Sequence, residues 1–278
     1  MSTPDKRTDA APSAAPQTLS LRPSGSGRLV LVPNTLDLGT GHEGALHDAL
    51  PQGVITRAAG LGHWVAENAK TARSFLKRVA AVTPLAQPLQ QIVITELPRP
   101  PKGGAARQAA SIDWQPLLGP AHAGQDIGLL SEAGLPAVAD PGAGLVQAAH
   151  DSGIQIEPWP GPSALLLALA ASGLNGQRFA FVGYLPVDAA GRTARLRELE
   201  ARSRQQQETQ IAIETPYRNE ALMQAMVAQL APGTRLAVAA GLGVPGGWCR
   251  SMTVAQWRRA ARAAMDDRLP AVFCWLAP

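Results

Sequence analysis

Gly128-Leu-Leu-Ser-Glu-Ala-Gly-Leu-Pro-Ala-Val-Ala-Asp-Pro-Gly142, followed by Ile156-Glu-Pro-Trp-Pro-Gly-Pro-Ser-Ala164, decides the fold of this chain. An apolar run ends in small residues and one acid, Glu132. A second turn, Asp140-Pro-Gly, follows at once. A helical pattern begins at Leu145, a further short apolar strand follows, and Pro160-Gly-Pro-Ser-Ala164 opens another helix. Small residues at strand ends let a ligand approach the backbone closely. In open parallel sheets ligands bind outside the carboxyl ends of the strands. Two such turns, close in sequence, read as two walls of one pocket.

Outward from this stretch, short strands alternate with helices, the pattern of parallel α/β architecture. Arg28-Leu-Val-Leu-Val-Pro33 reads as the first buried strand, ended by proline, with a loop over 34–41. A short helix is expected near 43–50. Apolar residues at helical spacing (Val65, Ala69, Ala72, Phe75, Leu76, Val79) predict a helix over 64–79. A loop over 84–91, a strand over 91–96, a breaker-rich loop at 99–104 and a weak helix over 106–118 follow. The central strand covers 126–130 and its helix 145–152. Later come a helix at 163–172, a strand at 179–183, an arginine-rich helix at 192–207 and a strand at 210–214. A helix over 216–230, a strand over 235–240, a helix over 253–265 and a terminal strand over 270–276 complete the chain. Three prolines between 158 and 162 place a hinge there. The expected organisation is a disordered Ala/Pro/Ser-rich tail over 1–27, an N-terminal α/β domain over 28–158 and a C-terminal α/β domain over 159–278.

Composition excludes several classes. The 278 residues are 46% hydrophobic, enough for a substantial core. No run is apolar and long enough to span a bilayer, and the first residues lack a signal core, so a cytoplasmic protein without membrane contact is expected. Two cysteines, Cys249 and Cys274, make neither a disulfide framework nor a zinc site. The five histidines lack metal-ligand spacing, so no metal is expected. Neither a GxGxxG fingerprint nor Gly-x-Ser-x-Gly is present. Net charge is +4, mildly basic. Arg192, Arg195, Arg197, Arg202 and Arg204 form one cluster, and Arg250, Arg258, Arg259 and Arg262 another. They read either as a solvated, ion-paired helix face or as a phosphate-tracking patch for RNA.

The ordered set Ser131-Glu-Ala-Gly-Leu-Pro, Asp140-Pro-Gly and Pro160-Gly-Pro-Ser-Ala resembles the tetrapyrrole methylase superfamily. It looks closest to the ribosomal-RNA branch, the 16S rRNA cytidine-2'-O-methyltransferases, whose pattern reads Ser-Asp-Ala-Gly-Thr-Pro, Asp-Pro-Gly, Pro-Gly-Pro. The likeness extends through Gly173-Leu174 and Phe181-Val-Gly-Tyr-Leu-Pro186, and is strong over the middle third. It implies two α/β domains with S-adenosylmethionine bound between them, a homodimer, and methyl transfer. The favoured acceptor is an RNA ribose 2'-hydroxyl. A small-molecule acceptor such as a tetrapyrrole, or a non-catalytic S-adenosylmethionine-binding protein, are the alternatives.

On the residues themselves, Gly134 and Pro136 supply a close-approach turn, Val138 an apolar wall, and Ser163 and Ala164 a hydroxyl and helix N–H groups. With Pro33, Ala133, Leu135, Asp140, Pro160 and Glu214 they form the expected cofactor-binding set. Glu132, at a strand end, is a candidate for orienting a ligand hydroxyl or acting as a base. Glu67 and Lys70 complete the catalytic candidates. Glu67-Asn-Ala-Lys70 stands where the rRNA branch has Glu-Asp-Thr-Arg, and lysine does not replace arginine's planar fork. Glu214-Thr-Pro-Tyr-Arg218 keeps Glu214, Pro216 and Arg218 of the branch's element. Ala239-Ala-Gly-Leu-Gly-Val-Pro245 is small and apolar where that branch carries Arg-Glu-Leu-Thr-Lys. Trp64, Trp257 and Trp275 lie in apolar patterns and read as packing residues, whereas Trp159 stands beside the pocket turn.

Overall fold

The computed structural model describes residues 25–37, 40, 42–98, 112–260, 265–266 and 268–278. The expected loop at 99–104, residues 106–111 of the expected helix, and residues 1–24 of the expected tail lie outside them. Gly27, at the end of that tail, is buried and its N–H donates to the Ala121 carbonyl.

Five parallel strands form the first sheet: β1 (Arg28–Val32), β2 (His63–Ala66), β3 (Val93–Glu96), β4 (Ile127–Leu130) and β5 (Gln155–Pro158). Their spatial order is β3-β2-β4-β1-β5. Helices α1 (Gln52–Ala59) and α2 (Ala69–Val82) pack with Trp64, Val30 and Trp159 in one core. Helices α3 (Gln115–His122) and α4 (Ala143–Asp151) pack with Leu29, Val65 and Leu129 in another. Sheet faces alternate along each strand, which is why neighbours such as Leu29 and Val30 belong to different cores. A Cβ on Gly128 would lie 2.8 Å from the Trp64 ring, so β4 needs glycine to let that indole lie flat against it. Connections leave β1 and β4 on opposite faces of the sheet. The carboxyl ends of these two neighbours therefore border an open crevice, the position where such sheets hold ligands.

The second sheet is mixed. It comprises β6 (Phe179–Gly183), β7 (Thr209–Glu214), β8 (Arg235–Ala240), β9 (Trp248–Thr253) and β10 (Ala271–Leu276), ordered β6-β7-β10-β8-β9. Only β6 and β7 run parallel; β10 is antiparallel to β7 and β8, and β8 to β9. The expectation of a parallel sheet thus holds for the first half alone. Helix α5 (Ala164–Ser172) covers one face, packing on Ile211, Ala237, Ala239 and Val272. Helices α6 (Ala189–Gln206), α7 (Asn219–Gln229) and α8 (Val254–Arg259) cover the other.

Three local readings are corrected. The helix expected over 64–79 begins only at Ala69. Trp64, Val65 and Ala66 form a buried central strand, and the Asn68 side chain accepts from the Lys70 N–H as N-cap. A three-residue apolar strand in phase with the following helix leaves periodicity nothing to distinguish. The helix expected over 43–50 is one 3-10 turn, Leu46–Asp48, followed by α1, which the sequence pattern did not mark. The helix expected over 253–265 starts on a Thr253/Gln256 capping box and ends at Arg259.

Candidate functional site

The two turns singled out in the sequence meet at the crevice. After β1, the Asn34 N–H donates to the Gly134 carbonyl at 2.8 Å, and the Asn34 amide Nδ2 donates to the Ser131 and Glu132 carbonyls at 3.2 and 3.0 Å. Asn34 is thereby a fastener between the loops that leave β1 and β4. Gly134 adopts φ +68°, and a Cβ there would stand 3.3 Å from both Leu36 Cδ2 and the Pro162 carbonyl. Ala137 and Ala139 also hold positive φ, 64° each, a left-handed conformation uncommon for residues with a Cβ. These turns expose backbone and present short side chains to the space beyond the sheet.

That space is a cleft of about 240 Å³ between the two sheets. Its first wall is Leu36 with Ala133, Gly134, Leu135, Val138, Ala139 and Asp140. Its second is Ser163, Ala164 and Leu165 at the start of α5. Its third comes from the mixed sheet and its loops: Tyr184, Ile213, Glu214, Ala239, Leu242, Pro270, Ala271 and Val272. Of the expected cofactor set, Ala133, Gly134, Leu135, Val138, Asp140, Ser163, Ala164 and Glu214 line the cleft. Pro33, Pro136 and Pro160 do not. Pro33 instead packs on Gly161, where a Cβ would be only 2.1 Å from the proline ring. Ala239 and Leu242 of the apolar stretch are cleft wall, and apolar contact is what they supply.

Polar groups converge at two places. Ser163 is the N-cap of α5 but makes no side-chain capping bond, so its hydroxyl and the first N–H groups of the helix remain open to the cleft. Glu214 is buried and engaged: its Oε1 accepts from the Thr215 N–H at 2.8 Å, and its Oε2 pairs with Arg218 at 2.8 Å. It can accept a further hydrogen bond, but its charge is already matched.

The second place is a group of carboxylates beyond β2 and β4. Burial pushes the Asp140 carboxyl up to about 7, and the neighbouring charges of Glu67 and Glu132 add to the rise; the Ser131 hydroxyl opposes it. Burial also raises Glu67, helped by the Glu132 charge. Burial raises the Tyr184 phenol, with Asp140 and Glu214 adding to it. Neighbouring negative charges and partial burial both disfavour a further carboxylate, and Asp140 is the carboxyl on which they act most strongly. Glu132 and Lys70 are exposed and Glu67 is half-buried, and all three lie outside the cleft lining. The three catalytic candidates read from sequence therefore sit beside the cleft, while Asp140 faces into it.

A strap holds Leu36 in place. Arg78 of α2 donates to both carboxylate oxygens of Asp37 at 3.2 and 2.8 Å and to the Gly44 carbonyl at 2.8 Å. Thr35 also donates to Asp37. Burial works against the Asp37 charge, but the bonds from Arg78 and Thr35 win and hold its carboxyl below the usual range. Nothing in composition or spacing flagged Arg78 or Asp37. Tyr184, Leu165, Pro270, Ala271 and Val272 were missed as well, because they are ordinary residues until the second sheet closes over the first.

The tryptophans and arginines noted in the sequence take definite places. Trp159 is buried core, with Arg57 4.4 Å above its ring and its Nε1–H donating to Glu157 at 2.9 Å. Trp64 and Trp275 are fully buried. Arg195 pairs with Glu198 and Arg202 with Glu208. Arg258 donates to the Val227 and Leu230 carbonyls at the end of α7. Among the described residues no group of His, Cys, Asp and Glu could hold a metal, and no helix is long and apolar enough to cross a membrane.

Comparison with known proteins agrees with this construction. A ribosomal RNA small subunit methyltransferase I of Pseudomonas aeruginosa is 45% identical over 95 residues, covering 34% of this chain and 32% of that protein. The protein of the same name from Mesorhizobium japonicum is 43% identical over 122 residues, 44% of this chain and 40% of that one. That from Mycobacterium bovis is 34% identical over 151 residues, 54% and 48% respectively. The matched segments thus span about a third to a half of these relatives' length. In fold, the crystal structure of the methyltransferase CobJ superposes with a TM-score of 0.52 at 18% identity, over 91% of this chain and all of the other. A conserved hypothetical protein of Aeropyrum pernix gives 0.51 at 17%, over 91% of this chain and 85% of its own. Residues 65–255, which hold β4, its glycine turn, the Pro160 turn and most of the mixed sheet, match the tetrapyrrole (corrin/porphyrin) methylases, and the chain belongs to that family.

Proposed function

We propose that the cleft binds S-adenosylmethionine and that the protein methylates an RNA ribose 2'-hydroxyl, acting on small-subunit ribosomal RNA. The observation that carries this reading is the meeting of the Gly134 turn, the open N-terminus of α5 and the apolar wall of the mixed sheet around one cleft. The residues fit such a cofactor. Gly134 leaves a cradle that a side chain would narrow, Ser163 offers an unused hydroxyl, and Ala239, Leu242 and Val272 offer an apolar slot for a base. Bound there, S-adenosylmethionine supplies an electrophilic methyl group. The protein's part is to hold the two reactants in line, which supplies most of the rate gain in such reactions.

Asp140, rather than Glu132, takes the acceptor's proton. It faces the cleft, and a carboxyl titrating at about 7 is suited to a base working near neutrality. Gly134, Ser163 and the apolar wall would hold the cofactor so that its sulfonium gives up the methyl group to the acceptor oxygen, and the hydroxyl proton would pass to an Asp140 carboxylate oxygen. Glu67 and Glu132 act through Asp140 by raising its proton affinity. The name shared by the relatives supports the ribosomal acceptor.

A division of the chain at 158/159 belongs to the same reading; it is supported by β5 lying in the first sheet while α5 packs on the second. A second copy of the chain covers the apolar face made by Leu166 and Leu167 of α5 with Phe179 and Phe181 of the edge strand β6, all exposed in the single chain. Phe181 is in register with Ile211, which packs against α5, so these groups share one side of the sheet. An RNA acceptor places the protein in the cytoplasm. Titration calorimetry tests the cofactor: one site per chain for S-adenosylmethionine and none for NAD supports the reading, and absence of S-adenosylmethionine binding ends it.

A further inference from the structure

Resting on the RNA reading above, we propose that Lys70, Arg73 and Lys77 of α2 are the track along which the RNA backbone reaches the cleft. The arginine-rich helix α6, the richest basic segment in the sequence, is not that track.

Much of the positive charge on α6 is already engaged. On α6, Arg195 is paired with Glu198 at 2.6 Å and Arg202 with Glu208 at 2.9 Å. Arg197 donates to Gln229 at 3.3 Å, and Arg192 to the Val187 carbonyl at 3.0 Å. Four of the five arginines of α6 are thus engaged by side-chain contacts; Arg204 alone is exposed without one among the described residues. On α2 the pattern is the reverse. Its sequence, AKTARSFLKRVAAV, holds four cations and no acid. Arg78 is consumed by Asp37. Lys70, Arg73 and Lys77 are exposed and have no ion pair or side-chain hydrogen bond among the described residues.

Their spacing puts them together. Steps of three and four residues keep all three within about 60° of the helix circumference and spread them over roughly 10 Å of its length. Three like charges on one face cost stability unless something anionic neutralises them. Lys70 lies in the first turn, where a cation opposes the helix dipole; α2 itself has no acid there, and the one carboxylate at this end, Glu96, accepts from the Ala69 N–H at 2.9 Å. A stripe that lowers the stability of the free protein is explained by a polyanion in the bound one.

Its position supplies the connection to chemistry. Helix α2 starts directly after β2. Thr71 and Ala72 of its first turns border a small recess with Glu67, Ser131 and Glu132. Glu67 in turn acts on Asp140, which lines the cleft. The stripe therefore begins at the rim where an acceptor hydroxyl must arrive and runs outward across the sheet face. Phosphates seated on it would lead one ribose inward, and such interactions carry no base preference.

The test uses the full chain and fluorescence anisotropy with purified small-subunit ribosomal RNA across a salt series. Replacing Lys70, Arg73 and Lys77 together by alanine is expected to weaken binding at least tenfold at low salt. It should flatten the slope of log affinity against log salt by about 2, since each neutralised phosphate adds roughly 0.7–0.9 to that slope. Lys77→Ala alone, two turns from the cleft, should flatten it by the increment of a single phosphate. Arg195→Ala with Arg202→Ala should leave the slope unchanged, and calorimetric cofactor affinity should hold in every variant. A flattened slope in the α6 pair with none in the α2 variants overturns the proposal and leaves the RNA reading standing. Absence of salt-sensitive binding by the unaltered protein removes both.

Discussion

Asn34 and Gly134 join the two halves of the crevice: the Asn34 N–H reaches the Gly134 carbonyl at 2.8 Å, and the Asn34 amide reaches the carbonyls of Ser131 and Glu132 just before it. The loop after β1 and the loop after β4 are thereby one unit, and Gly134 is its innermost point. Gly134→Val is expected to abolish S-adenosylmethionine binding. Its Cβ would stand 3.3 Å from Leu36 and from the Pro162 carbonyl, in a backbone conformation with φ +68°. The left-handed conformation costs about 1–2 kcal/mol for a residue with a Cβ, so the variant should remain folded with a lowered melting temperature. Calorimetry together with thermal unfolding checks this, and undiminished cofactor affinity would remove Gly134 from the pocket.

Asp140→Asn should lower the methylation rate about a hundredfold or more, the usual scale for loss of a positioned base. The rate of the unaltered protein should rise with pH through about 7, and the variant should lose that limb. Cofactor affinity measured in parallel separates a proton-transfer role from a binding role. Glu132→Gln, by contrast, should lower the pH of the limb while leaving most of the rate.

The same carboxyl affects stability. Because Asp140 binds its proton more tightly folded than unfolded, folding is favoured most at acid pH. That advantage is lost as pH rises from the ordinary aspartate range toward about 7. Asp140→Asn should therefore melt higher than the unaltered protein above neutrality, and the gap should close below the ordinary aspartate range. A variant that melts lower at every pH would show that Asp140 is a structural turn residue.

Arg78→Ala leaves Asp37, whose side chain is only 6% exposed, without its cation. Stranding one partner of a buried pair costs about 3–5 kcal/mol. The Asp37 carboxyl is held low, so the pair's contribution is present above the ordinary aspartate range and is lost as pH falls below it. Denaturant unfolding at neutral pH should show the loss. Cofactor affinity should fall as well, because the strap positions Leu36 in the cleft wall.

What the sequence made readable was local. The turns at 133–140 and 160–164 declare themselves through glycine, proline and short side chains, and most of the first with Ser163 and Ala164 of the second line one cleft, while their prolines do not. Strands β1, β4, β6, β8 and β10 are apolar runs bounded by breakers, and each falls within a residue or two of its expected place. Strand β9 was not seen because Trp248–Thr253 is a half-exposed edge of mixed polarity. The direction of the second sheet was not seen either, since pairing is settled by long-range register rather than by periodicity. The Asp140 environment, the Arg78–Asp37 strap and the wall from Pro270 to Val272 depend on residues far apart in the chain, and no single segment announces them. The arginines of α6 stand out by number; their partners, visible only in the fold, pair two of the five, Arg195 and Arg202, with acids and hold two more, Arg192 and Arg197, by hydrogen bonds.

The central claim is that this cleft serves methyl transfer to RNA. The most direct measurement incubates the purified protein with methyl-labelled S-adenosylmethionine and unmethylated small-subunit ribosomal RNA, then digests the RNA and identifies labelled nucleosides by mass spectrometry. Label is expected in a 2'-O-methylated nucleoside, lost with Gly134→Val and strongly reduced with Asp140→Asn. An RNA free of label, from a protein shown by calorimetry to bind the cofactor, would contradict it.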